Sequence, residues 1–182
     1  MKESLWPPFT SHELEAKPAF LGFLLANPAI ANADPFRTTV YFDLDETMFK
    51  RSTYSASSIS GSWREDMPET LARLKERGFG LSVLSSAGID YIKAAVAIYG
   101  QQFGTEASFD DLLSTRDHDV YGDKHVALPE VAALAASEGK AAVFVDDAHL
   151  AFDEPTDFGF IQVPADMQYQ GNPAVSFEAA LV

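Results

Sequence analysis

The chain has 182 residues, of which 47% are hydrophobic and 22% charged, so its size and composition permit one globular domain with a substantial core. Its 27 acidic and 13 basic residues give a net charge of −14, which argues against nucleic acid or an anionic membrane as the main partner, because such surfaces are bound by clustered Lys and Arg. The chain has no cysteine, which excludes disulfides, thiolate metal ligands and cysteine nucleophiles.

Residues 1–35 are predicted to form a helical N-terminal extension. An apolar run at 19–26 precedes the triplet Ala31-Asn32-Ala33, but the segment before it is long, contains glutamates and lacks the basic cluster of a signal peptide. We therefore expect an amphipathic helix over residues 11–27, with Thr10 and Glu13 at capping-box spacing. Because a signal peptide is not expected, we predict a cytoplasmic protein. No apolar run reaches the roughly 20 residues of a membrane span, so we expect no membrane partner.

Residues 36–182 are predicted to form one domain in which strands and helices alternate. We expect strands at 38–42, 79–84, 109–113, 141–145 and 158–163. We expect helices between Asp66 and Gly78, at 89–101, 126–137 and 148–153, and in the C-terminal tail. Short apolar strands separated by helices predict an α/β fold, a three-layer Rossmann-like parallel sheet with helices on both faces.

The serine-rich segment 48–63 interrupts this alternation. It is polar and lacks a clear period, so we interpret it as an exposed loop or a small hairpin beside the site described below. A simple flexible linker is the alternative interpretation.

Polar side chains follow three of the predicted strands at the points where the strands end. They are Asp43 and Asp45 after the first strand, Ser85 and Ser86 after the second, and Asp146 and Asp147 after the fourth. Because ligands of parallel α/β sheets bind beyond the carboxyl ends of the strands, we expect these side chains to meet in one crevice.

Such a group of carboxylates has a specific chemical use. The acids would repel one another unless a divalent cation neutralised them, and hard oxygen ligands suit Mg²⁺, which commonly receives a phosphate group. One carboxylate in line with that phosphate can act as a nucleophile and form an aspartyl-phosphate. A second carboxylate two residues later can protonate the leaving oxygen and then activate water, while a hydroxyl and a lysine bind the phosphoryl group.

The stretches FDLDET, LSVLSS and VFVDD, together with Lys124, resemble the haloacid dehalogenase (HAD) superfamily of phosphohydrolases over residues 38–163. This resemblance implies that Asp43 is the nucleophile and a metal ligand. It implies that Asp45 is the general acid/base and binds Mg²⁺ through its backbone carbonyl. It also implies that Asp147 is a direct metal ligand, with Asp146 beside it.

The same resemblance assigns the residues that would hold the phosphoryl group. Ser85 matches the hydroxyl of the second motif, with Ser86 as the alternative because the register is ambiguous by one residue. Thr47 and Ser86 are expected to contact the substrate. Lys124 matches the lysine of the third motif, whereas Lys140 precedes the fourth strand and would lie at the opposite end of the sheet.

The intervals 48–63 and 86–124 are too short for a lid domain, so the chain resembles the capless type, with a short flap at 48–63. An open site admits bulky substrates such as phosphoproteins or lets a neighbouring subunit serve as a lid, which leaves a homo-oligomer open. The opening FDLDETM is also similar to the capless branch of protein phosphatases that acts on phosphoserine.

These patterns predict a Mg²⁺-dependent phosphomonoester hydrolase that acts on a phosphorylated small molecule or phosphoprotein. Two alternatives stay open from the sequence. The first is a phosphotransferase with the same first half-reaction, and the second is an interaction protein that retains the fold without turnover.

Overall fold

The computed structural model describes residues 6–9, 19–116, 123–150, 152 and 156–182. The strands are β1 (Thr38–Phe42), β2 (Phe49–Tyr54), β3 (Ser58–Trp63), β4 (Gly80–Ser85), β5 (Asp111–Ser114), β6 (Ala141–Asp146), β7 (Gly159–Gln162) and β8 (Phe177–Ala180). The helices are α1 (Ala19–Ala26), α2 (Pro28–Ala31), α3 (Met67–Arg77), α4 (Ile89–Phe103) and α5 (Lys124–Ser137).

Five strands form a parallel sheet in the order β5-β4-β1-β6-β7, which places β1 at the centre. Val40 of β1 lies opposite Leu81 on one side and Val143 on the other. Strand alternation directs Val40 and Phe42 into one core cluster and Tyr41 into a second cluster beneath α5. Helices therefore flank the sheet, which confirms the predicted α/β class and is consistent with a Rossmann-like fold.

A second sheet has three antiparallel strands in the order β2-β3-β8. Strands β2 and β3 form a hairpin, one of the arrangements expected for residues 48–63. Trp63 at the end of β3 is 0% exposed, and its Nε1 donates a hydrogen bond of 2.7 Å to the carbonyl of Ala95 in α4. The hairpin is therefore anchored to the main domain.

The C-terminal tail differs from the sequence prediction. A 3-10 turn forms at Ala165–Met167, but residues 177–180 form strand β8, so the helix expected in this tail is wrong there. Gly61 of β3 lies opposite Phe177 of β8. The tail is extended because β3 offers it backbone partners, and such a distant partner leaves no sign in the local pattern.

Helix α3 begins after Asp66 and ends at Gly78, as predicted. Gly78 has a φ of +106°, a left-handed conformation that favours glycine, and its amide donates to the carbonyls of Leu74 and Lys75. The helix expected at 148–153 is wrong for residues 148–150, which are not helical, while residues 151 and 153 lie outside the described part of the chain.

Helix α1 forms part of the predicted N-terminal helix. It contributes four side chains to the main core, all of them at most 1% exposed: Phe20, Leu21, Leu24 and Leu25. Residues 10–18, and with them the Thr10–Glu13 pair, lie outside the described residues. Within the described ranges, none of the helices combines the length and the apolar character that crossing a bilayer requires.

Candidate active site

Three neighbouring strands of the main sheet end in polar side chains. Asp43 directly follows β1, Ser85 is the last residue of β4, and Asp146 is the last residue of β6. The amide of Asp43 donates a hydrogen bond of 2.8 Å to the carbonyl of Val145, so β1 and β6 remain paired up to the acidic residues. The sheet therefore brings the predicted carboxylates together at its carboxyl edge.

Lys124, the first residue of α5, joins two of these carboxylates. Its Nζ donates hydrogen bonds of 2.7 Å to Asp43 Oδ1 and 2.6 Å to Asp146 Oδ2. Asp43 and Asp146 are buried and Lys124 is partly buried, with 13% of the Lys124, 7% of the Asp43 and 5% of the Asp146 side chain exposed. Lys140 lies before β6 at the opposite end of that strand and pairs with Glu138 at 3.6 Å.

Asp147 completes an acidic cluster. One carboxylate oxygen from each of Asp43, Asp146 and Asp147 lies within 4.8 Å of the others, a separation at which the three side chains could hold one metal ion. The amide of Ala148 donates to Asp146 Oδ1 at 2.9 Å and fixes that carboxylate in a turn. The Asp45 carboxylate is not part of this cluster.

Burial dominates the electrostatics of the cluster. It raises the pKa of Asp43 well above the usual range; Lys124 partly offsets the rise, and Asp146 and Asp147 add to it. Burial also raises the pKa of Asp147. For Lys124, burial favours a lower pKa, but the carboxylates of Asp43 and Asp146 outweigh it and raise the pKa, so the ammonium group stays charged.

Asp45 has a different partner. The hydroxyl of Tyr91, in the first turn of α4, donates a hydrogen bond of 2.6 Å to Asp45 Oδ1. Burial raises the pKa of Asp45, while this hydrogen bond and the positive charge of Arg51 partly offset the rise. A carboxyl group whose pKa is raised holds its proton more readily, which suits a group that gives and takes a proton.

A tight turn after β1 connects the two carboxylates to the hairpin. The amides of Met48 and Phe49 both donate to the carbonyl of Leu44, at 3.0 and 2.9 Å. Glu46 has a φ of +63°, which is costly for a residue with a side chain, and its carbonyl accepts a hydrogen bond from the amide of Tyr169 at 2.7 Å. Backbone strain of this kind persists only where the surroundings impose it, as they do here beside Asp45.

Thr47 lies inside this turn and is 0% exposed. Its Oγ1 lies 3.5 Å from Asp43 Oδ2, at the long end of the range for a hydrogen bond. The sequence predicts that Thr47 contacts the substrate, but this burial favours a role in orienting the Asp43 carboxylate.

The two candidate serines differ in exposure. Ser85 is 2% exposed, and its Oγ accepts a hydrogen bond of 3.1 Å from the amide of Ala87, whereas Ser86 is exposed. The hydroxyl of Ser114 donates to the carbonyl of Ala87 at 2.6 Å. Ser85 of β4 and Ser114 of β5 therefore both fix the turn after β4, and the Ser86 side chain lies on the solvent-exposed side of that turn.

Sequence reasoning missed Tyr91 and Arg51. The position of Tyr91, two residues into the helix that follows β4, would have placed it at the carboxyl edge, but its ring resembles an ordinary core side chain. Arg51 lies in the segment interpreted as a polar loop, and no local signal indicates its contact with Tyr91.

A scan against models of known protein families finds no match to this chain, and a search of curated proteins finds none either. The functional assignment therefore depends on the side chains at the sheet edge.

Proposed function

We propose that this protein is a Mg²⁺-dependent phosphomonoester hydrolase that works through a phospho-Asp43 intermediate. The observation that carries the proposal is the buried Lys124 that contacts both Asp43 and Asp146, with Asp147 beside them. A purely structural ion pair needs one carboxylate for each cation, so the second buried acid and the half-buried Asp147 add repulsion that destabilises the fold. Such an excess of acids is typical of a site built for a cation and an anionic substrate.

The donor set fits Mg²⁺. Hard carboxylate oxygens are the ligands that Mg²⁺ prefers, and the chain has no cysteine that would favour a softer metal. The oxygens of Asp43, Asp146 and Asp147 would hold the ion, together with the backbone carbonyl of Asp45 that the resemblance to the HAD superfamily implies. When bound, the ion would neutralise charge on the phosphoryl oxygens.

Asp43 and Asp45 divide the chemistry between them. An Asp43 carboxylate oxygen attacks phosphorus, the ester P–O bond breaks, and the leaving alkoxide takes a proton from Asp45. Asp45 then removes a proton from water, which attacks the same phosphorus and breaks its bond to Asp43. Inorganic phosphate leaves, Asp43 is free again and Asp45 is protonated again, so atoms and protons balance. The ammonium group of Lys124 favours the ionised form of Asp43 and holds its carboxylate in place for the attack.

We further propose that the chain is a capless member of the HAD superfamily. The support is the order of its polar strand ends around the central strand β1, with a two-stranded hairpin where a lid would be inserted. The open site would admit bulky substrates, including phosphoproteins.

The test is hydrolysis of an aryl phosphate by the full chain. We expect release of phosphate with Mg²⁺, none with EDTA and none with Asp43→Asn. The matched control is Asp111→Asn, because Asp111 is an exposed acid at the start of β5, at the other end of the strands, and its removal should leave the rate unchanged. Mass spectrometry of acid-quenched enzyme should find a phosphoryl group on Asp43.

Two results would replace this proposal. Preferential transfer of the phosphoryl group to added alcohols would identify a phosphotransferase. No turnover of any member of a broad panel of phosphate esters would favour the non-catalytic interaction protein.

A further inference from the structure

Arg51 in β2 is an exposed cation beside the candidate active site. Its guanidinium carbon lies 5.2 Å from the ring centre of Tyr54 and 5.9 Å from that of Tyr91. The hydroxyl of the same Tyr91 holds the Asp45 carboxylate at 2.6 Å. The rings therefore hold the positive charge at the mouth of the site.

A β-bulge produces this arrangement. Arg51 lies opposite Gly61, but Thr53 lies opposite Ser60, so one extra residue of β2 is accommodated between them. The extra residue puts Tyr54, rather than Thr53, on the same face as Arg51. Bulges next to active sites commonly redirect a side chain in this way. Tyr54, which is 60% exposed, can therefore stack on the guanidinium group.

Arg51 differs from its cationic neighbours because it forms no salt bridge within the described ranges and acts on the Asp45 carboxylate only through its charge. Lys124 is shared between Asp43 and Asp146, and Lys50 pairs with Glu46 at 2.5 Å. In a chain with 27 acidic residues, an exposed arginine beside a group of carboxylates would readily pair with one of them. Its contacts with two aromatic rings use no N–H group, so these groups remain available among the described residues.

We propose that Arg51 binds a carboxylate of the substrate, so that the preferred substrates are phosphate monoesters that also carry a carboxylate group. This inference rests on the proposed function, because it assumes that a phosphoryl group occupies the acidic cluster. The planar fork of a guanidinium group matches a carboxylate with two parallel hydrogen bonds. One guanidinium at an acidic edge also matches a monoanion better than a second phosphate dianion.

Binding of phosphonates tests the inference without requiring turnover. We would measure binding to the full chain with Mg²⁺ by calorimetry, using phosphonoacetate, 3-phosphonopropionate and 4-phosphonobutyrate, with n-propylphosphonate as the analogue without a carboxylate. We expect at least one acid to bind about tenfold more tightly than n-propylphosphonate, the effect of one partly exposed charge-assisted pair. Arg51→Ala should abolish this preference, and Arg51→Lys should restore part of it.

Arg73→Ala is the matched control, because Arg73 is an exposed arginine on α3 that pairs with Glu76, and its removal should leave the preference intact. A second experiment distinguishes the sources of the carboxylate. It compares kcat/KM for O-phosphoserine and for two phosphoserine peptides that differ by a Glu or a Gln beside the phosphoserine. If the Glu peptide has the higher kcat/KM and Arg51→Ala removes this difference, the carboxylate belongs to an acidic peptide. If Arg51→Ala lowers kcat/KM for O-phosphoserine alone, the carboxylate belongs to a small acid.

Equal binding of the acids and n-propylphosphonate would overturn the inference, as would a preference that persists in Arg51→Ala. An equal loss of all four phosphonates in Arg51→Ala would also overturn it, since Arg51 would then hold the phosphoryl group itself. These outcomes are separate from the proposed function. Hydrolysis of the aryl phosphate without any carboxylate preference would leave that function standing, whereas an Arg51-dependent preference without hydrolysis would refute only the function.

Discussion

Replacing Lys124 by methionine should strongly destabilise the protein in the absence of metal. The substitution retains the apolar stem but leaves the carboxylates of Asp43 and Asp146, now 7% and 5% exposed, without their shared ammonium group. Breaking a buried ion pair by removing one partner costs about 3–5 kcal/mol. We expect the lower end, about 3 kcal/mol, because the raised pKa of Asp43 allows its carboxyl group to take up a proton. For a chain of this length, that loss lowers Tm by roughly 6–12 °C.

Thermal unfolding followed by circular dichroism in EDTA measures this effect. The control is Lys140→Met, which removes a lysine that is 52% exposed and pairs with Glu138 at 3.6 Å, so Tm should change by no more than about 2 °C. Adding Mg²⁺ should raise the Tm of Lys124→Met more than that of the wild type. In the variant the cation supplies the missing positive charge, whereas in the wild type Lys124 already supplies it.

Equal lowering of Tm by Lys124→Met and Lys140→Met in EDTA would refute this role of Lys124. That outcome would mean that the carboxylates are not held buried against Lys124. A larger Mg²⁺ effect on the Tm of the wild type would refute it equally, because the acidic cluster would then not be the place where the ion binds.

Three further predictions concern single side chains. In EDTA, the free energy of unfolding of the wild type should fall relative to that of Asp43→Asn as pH rises through the folded pKa of Asp43, because burial raises that pKa and disfavours the ionised form. Urea titrations should give a limiting slope of about 1.4 kcal/mol per pH unit. A difference that does not change with pH would contradict this. Tyr91→Phe removes the donor 2.6 Å from Asp45 and should lower kcat for an aryl phosphate about tenfold, whereas a change below twofold would exclude a role for this contact. Asp110→Ala removes the acceptor that lies 2.8 Å from the amide of Leu81 and should cost about 1 kcal/mol of stability in urea unfolding, with no cost as the contrary result.

The sequence predicts well those elements whose signal is local and apolar. Strand β1 has the predicted bounds 38–42, and α3 lies between the predicted Asp66 and Gly78, because a buried apolar run and a glycine after a helix act through neighbouring residues. Strand β8 was not predicted because its extended form depends on pairing with β3, far away in the chain. The helix expected over residues 148–150 fails for a local reason, since the amide of Ala148 donates to Asp146 Oδ1 in a turn.

The candidate site likewise contains residues that the sequence predicts and a residue that it does not. Asp43, Asp146 and Asp147 lie at strand ends, so the parallel sheet alone brings them together, and the position of Lys124 at the start of α5 places it beside them. The roles of these residues remain predictions until they are assayed. Tyr91 was not predicted because its ring resembles an ordinary core side chain and its contact with Asp45 depends on how α4 packs against the turn after β1.

The difference in burial between Lys124 and Arg51 indicates how an acidic protein can select an anionic substrate. Lys124 is enclosed between two carboxylates that the fold places there, so its charge is largely committed to offsetting theirs. Arg51 is exposed and held by aromatic rings, whose attraction does not neutralise its charge. A change at Lys124 should therefore be detected mainly in stability and metal response, and a change at Arg51 in discrimination between substrates. If both changes affected the same property equally, Lys124 and Arg51 would belong to one continuous site, and the division of their roles according to burial would be wrong.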